Sequence, residues 1–171
     1  MRGINVGGKH KVPMSDLKRT FEELGFSNVT TLLNSGNVVF ESDESQSLVL
    51  RKKIEEKLEK MFGWSIDTII ISQKVLQEMV SNNPFVKITV TPQTRLYVTF
   101  LSEEPQTSLK FPYETQDKCF KMLHVSNHAV FSLVIVSEKF NTTDSMKILE
   151  KEFGKKVTTR NWNTVVKLAA L

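Results

Sequence analysis

Apolar residues recur along this chain at spacings that change from helical to extended and back. Met14, Leu17, Phe21 and Leu24 follow one another at three and four residues, between Pro13 and Gly25, and predict a short amphipathic helix. Thr30–Leu33 and Val38–Glu41 are β-prone runs on either side of Asn34-Ser35-Gly36-Asn37, where Gly and Asn tolerate the positive φ of a tight turn. The pattern predicts a hairpin. A second helix is expected from about Leu48 to Phe62 on the stripe Leu50, Ile54, Leu58 and Met61, and Ile66–Ile71 reads as a strand. Ser72 can cap a further helix to about Asn82, which Asn83-Pro84 stops because proline disfavours helical geometry in the residue before it.

Beyond that stop, Leu96–Leu101 is strand-like, Cys119–Val125 and Ala129–Val136 flank a Ser-Asn-His turn, and Met146–Phe153 is helical up to Gly154. A short strand near Val157 and a helix from Trp162 follow. Pro105 and Pro112 interrupt any helix between Leu101 and Cys119. The second half therefore repeats the strand, strand, helix, strand order of the first, without a residue-level repeat. Such an order suits an α+β protein made of two packed ferredoxin-like subdomains, residues 1–83 with a linker helix and residues 84–171, the first without a first strand.

Composition narrows the class. A chain of 171 residues with 40% hydrophobic and 25% charged residues has the usual globular balance and far too much apolar content for disorder. No apolar stretch approaches the roughly 18 residues that span a bilayer, and MRGINVGGKHK lacks the apolar run of a signal peptide, so a cytoplasmic location without membrane attachment is expected. Cys119, the sole cysteine, excludes an internal disulfide. The net charge of +4 is unevenly spread: residues 1–19 hold five Lys/Arg against one Asp, residues 147–171 six against two Glu, and the middle is acidic. Two basic ends would suit an anionic ligand if the fold joined them, although an exposed lysine-rich surface is the ordinary outcome.

Arg2–Gly8 (RGINVGG), Asn34–Asn37 (NSGN), Asn83–Phe85 (NPF) and Thr158–Thr164 (TTRNWNT), in this order, resemble the signature of a bacterial family, the domain of unknown function 1697, over nearly the whole chain. The resemblance implies two packed ferredoxin-like subdomains and imports no reaction, substrate or cofactor. It also implies an apolar strand ahead of the first motif, where Met1 here directly precedes Arg2. About three buried aliphatic side chains at ~1.5–3 kcal/mol each would be lost with that strand, comparable to the stability of a typical domain. The expectation is a native start upstream, or an open apolar groove.

In a ferredoxin-like sheet the end of the first strand lies at the same edge as the turn joining the second and third, so Arg2–Gly8 is expected beside Asn34–Asn37. Glycines leave backbone N–H groups unobstructed, and an arginine beside them offers a fork for phosphate or carboxylate. The candidate ligand-binding set is Arg2, Asn5, Gly7, Gly8, Asn34, Gly36, Asn37, Arg160 and Asn161, the last two preceding the final helix. The structural alternative gives the glycines to tight turns, Asn161 to a helix cap and both arginines to internal ion pairs.

Other chemistry is thin. Gly3 to Lys9 follows P-loop spacing, but His10 replaces the Ser or Thr that would bind magnesium, and Pro13 delays the helix. His124 and His128 straddle a hairpin, unlike metal ligands on one helix face, and neither a metal nor a cofactor is called for. Cys119 reads as a small core residue, and a Cys–His nucleophile with His124 has no supporting feature. Glu22-Glu23, Glu55-Glu56 and Glu103-Glu104 are adjacent pairs that point apart on helices and read as solvation. Asn37-Val38-Val39 stand where an RNA-binding sheet would need stacking rings. Three functional readings follow, in order: a binding module for a small anionic ligand or nucleic-acid phosphate; a metal-independent enzyme using the same cluster for an oxyanion; and a protein-interaction unit with structural motifs. Oligomeric state is open.

Overall fold

Apolar spacing converts directly into two helices and a hairpin in the N-terminal part of the protein. A computed structural model describes residues 1–5, 10–126 and 128–171. Two compact units emerge, Met1–Ser72 with Leu171, and Gln73–Ala170.

In the first unit, α1 (Met14–Glu23) turns Leu17, Thr20 and Phe21 inward. β1 (Ser27–Leu32) and β2 (Asn37–Glu41) pair antiparallel with Leu32 opposite Asn37. α2 (Ser47–Phe62) buries Leu50, Ile54 and Leu58, four residues apart, and stops at Gly63 in the left-handed conformation, φ 81°. Phe21, Phe26 and Phe40 form an aromatic cluster over this core, with Phe26 and Phe40 stacked at 4.4 Å. Ile4, Val12 and Ile66 complete it.

The strand expected at Ile66–Ile71 does not form. In the split βαβ order the strand after the second helix pairs only with the first strand of its unit, and the described residues put just one rung there, Arg2 N–H to Asp67 O at 3.0 Å. Side chains hold the segment instead: the Glu55 carboxylate on α2 accepts from Thr68 N at 2.7 Å and Thr68 Oγ1 at 3.1 Å. Alternation alone does not make a strand, because a backbone without a ladder partner must satisfy its N–H groups elsewhere.

The second unit opens with α3 (Gln73–Asn82), which groups here and not with the preceding helices because Gln73 Nε2 donates to Leu168 O and Ala169 O at 3.0 and 3.1 Å. The contact division thus falls ahead of the Asn83-Pro84 stop. The remaining elements are β3 (Thr94–Leu101), β4 (Tyr113–Glu114), β5 (Phe120–Val125), β6 (Ala129–Ile135), α4 (Thr142–Phe153), β7 (Val157–Asn161) and α5 (Trp162–Ala169). They build an antiparallel sheet of order β4-β5-β6-β3-β7. Without the short β4 this is the strand order of a ferredoxin-like split βαβ unit. Its first crossover helix is absent, as the prolines imply: residues 102–112 cross as a loop into β4 and pack Leu109 and Phe111 onto the core, and Thr107 Oγ1 donates to Glu152 on α4. One sheet face buries Leu101, Phe120, Met122, Val130, Val134 and Val157 with Leu149 of α4. The opposite face carries Val98, Phe131 and the residues paired with them.

Candidate functional site

Asn5 is the residue that joins the first two sequence motifs. At φ 57°, its Nδ2 donates to Val12 O and to Asn34 O, both at 2.9 Å, while its Oδ1 accepts from Val12 N at 2.8 Å. Asn5 N–H bonds His10 O at 3.1 Å. One amide thus bonds Asn5 to Val12 and to the β1–β2 turn, so a positive-φ residue with both donor and acceptor is required there. Gly36, at φ 74°, lies under Ile4: a Cβ there would fall 2.7 Å from Ile4 Cδ1 and 3.2 Å from Met1 Cβ. The Arg2–Asn5 run and the Asn34–Asn37 turn are therefore brought together, with Arg2 half-buried and bonded through its backbone to Asp67. Asn37 is buried and donates from Nδ2 to Leu32 O and Ser35 Oγ, both at 3.0 Å. Gly7 and Gly8 lie outside the described residues.

Arg160 and Asn161 belong to the second unit. Arg160 sits on the edge strand β7 opposite Val98, which in turn faces Phe131 on β6. A register shift in β5 puts His124 opposite Phe131, and the two rings stack at 4.7 Å and 15°. One row across the sheet, on one face, therefore reads His124, Phe131, Val98, Arg160. The guanidinium is anchored from below: Nη1 donates to Thr158 Oγ1 at 2.7 Å and to Thr159 O at 2.9 Å. Burial disfavours its charged form and pushes the Arg160 pKa down to about 10. A cation held in low dielectric attracts an anion more strongly than one in water. Asn161 caps α5, its Oδ1 accepting from Asn163 N at 3.0 Å.

Thr158 and Phe85 belong to the sequence motifs but not to the candidate binding set. Thr158, only 8% exposed, positions the arginine from two residues earlier on the same strand face. Phe85, of the Asn83–Phe85 motif, packs edge-on to Trp162 at 5.2 Å and to Phe131 at 6.2 Å, so two motifs distant in sequence meet through packing. Burial also holds the His124 pKa below the usual imidazole range.

Mixed helices and antiparallel strands, one unit with a ferredoxin-like strand order and a motif pair welded by Asn5 define an α+β protein of a specific lineage. Residues 1–131 match the family of proteins of unknown function DUF1697, and the chain belongs to it. It is similar in structure to the conserved bacterial protein SP0830 from Streptococcus pneumoniae, with a TM-score of 0.74 and 25% sequence identity over 99% of this chain and 93% of that one. A search of curated proteins finds no match. No helix among the described residues is long and apolar enough to cross a membrane.

Proposed function

We propose that the protein is a binding module for a small anionic ligand and that Arg160 supplies the recognising charge. The observation that carries this reading is the setting of that guanidinium: largely withdrawn from water on one face of the sheet, opposite Val98, and fixed at Nη1 by Thr158 Oγ1 and Thr159 O. Positioning is paid in the free protein, so a carboxylate or phosphate would meet an arginine that loses little freedom on binding. Asn5, Asn34, Gly36 and Asn37 then serve as the frame of the first unit, and Asn161 as the start of α5.

A thermal-shift screen of inorganic phosphate, nucleotides and phosphosugars tests the reading. A ligand at about 100 times its Kd adds about 2.7 kcal/mol, or roughly 5–11 °C for a chain of this size. Arg160→Ala should abolish that shift and Arg160→Lys should reduce it. A fully retained shift in Arg160→Ala would exclude Arg160 as the recognising group. A second reading, a protein-interaction unit with structural motifs, is favoured by the amides of Asn5 and Asn37, which are spent on their own backbone. It predicts no ligand-induced shift across the panel.

A further inference from the structure

We infer that the outward face of α4 and the turn behind it form a docking ridge for the phosphate backbone of a nucleic acid. The first unit holds ten Lys and Arg against ten Asp and Glu, the second thirteen against nine, so the whole excess of +4 resides in the second unit. Much of it lies on one ridge. α4 buries Ser145 and Leu149 and packs Met146, Ile148 and Phe153 onto the core, which leaves Lys147 and Lys151, four residues apart, exposed on the other side. Gly154, at φ 80°, ends the helix, and Lys155 and Lys156 follow, both exposed, before β7.

Of the nearby carboxylates, Glu152 is turned to a partner off the ridge, whereas Asp144 meets the ridge only at Lys147. Asp144 accepts from Asn141 N at 3.1 Å in the capping box and holds Lys147 at 3.2 Å. Glu152 accepts from Thr107, and Glu150 is half-buried. Lys151, Lys155 and Lys156 form no ion pair among the described residues. Lys147 and Lys151 are about 6 Å apart along the helix axis. A duplex offers one negative charge per about 1.7 Å of its own axis, so a single strip of lysines faces several phosphates at once. Charge complementarity thus selects a polyanion with closely spaced charges. This ridge does not depend on Arg160, whose guanidinium is desolvated against the sheet.

The experiment uses the full chain and a fluorescent duplex of about 20 base pairs, with anisotropy followed across a potassium chloride series. Four lysine contacts give a slope of log K against log salt of about −3 to −4, which corresponds to a weakening of roughly 100-fold between 50 and 200 mM salt. The triple variant Lys151→Gln, Lys155→Gln, Lys156→Gln should flatten that slope to about −1, with an unchanged circular dichroism spectrum. Arg160→Ala should leave the slope unchanged, which separates this inference from the small-ligand reading. Absence of binding at low salt, or a triple variant with the parental slope, overturns the proposal. So does lysine-dependent binding to phosphatidylserine vesicles without binding to the duplex. If the triple variant fails to fold, the single variants at Lys151 and Lys155 replace it, each expected to remove about 0.9 from the slope, and unchanged slopes overturn the ridge.

Discussion

Replacing Gly36 with alanine tests how closely the N-terminal residues approach the β1–β2 turn. Two costs combine. At φ 74° an L-residue costs about 1–2 kcal/mol more than glycine. The new methyl would also sit 2.7 Å from Ile4 Cδ1 and 3.0 Å from Ile4 Cγ1, distances that force a shift. Ile4 is only 2% exposed and lies within the core of its unit, so its side chain has little room to retreat, and overpacking of this kind costs about 1–3 kcal/mol. Together the substitution should destabilise by roughly 2–5 kcal/mol, a fall of about 4–20 °C in Tm for a protein of this length. Urea denaturation of Gly36→Ala, Ile4→Ala and the double variant forms a cycle. The double variant loses the clash but keeps the φ cost, so it should be less damaged than the sum of the singles by about 1–2 kcal/mol. An alanine variant within 0.5 kcal/mol of the parent, or strictly additive singles, would refute the close approach as a requirement.

Ser132 Oγ is buried without a hydrogen-bond partner, on the α4 side of the sheet between Tyr97 and Met122, so Ser132→Ala should raise stability by about 1 kcal/mol in urea denaturation; a loss of stability would mean the hydroxyl is satisfied. His124 has a folded-state pKa below its unfolded value near 6.5, so the unfolded chain takes the proton first. Its contribution is complete above the unfolded pKa and declines as pH falls below it. His124→Phe, which keeps a ring over Phe131, should therefore reduce the drop in urea midpoint between pH 7.5 and 5.5, and an unchanged drop would assign the effect to other groups.

Elements with a strong period were legible in the chain before any coordinates. Of the Leu50, Ile54, Leu58, Met61 stripe, the first three become the buried face of α2 while Met61, near its end, stays exposed, and Asn83-Pro84 ends α3 where proline must end it. Ile66–Ile71 fails for a physical reason: a strand is a property of two chains, and local alternation reports one side of the ladder. Asn5 was legible as a motif residue, whereas its tie to the β1–β2 turn depends on a carbonyl 29 positions away, that of Asn34. The place of Arg160 depends on the register that sets it opposite Val98, which neither composition nor spacing specifies. Thr158 shows the same limit, since its hydroxyl matters only because β7 places it beside the guanidinium.

Titration calorimetry with inorganic phosphate and a nucleoside monophosphate, on the parent and on Arg160→Ala, measures whether Arg160 recognises an anion. Saturable one-to-one binding by the parent is expected, with at least tenfold weaker binding by a variant whose fold is intact, a loss of about 1.4 kcal/mol or more. Equal affinity in the two proteins, or heat of binding in neither, would contradict that role for Arg160.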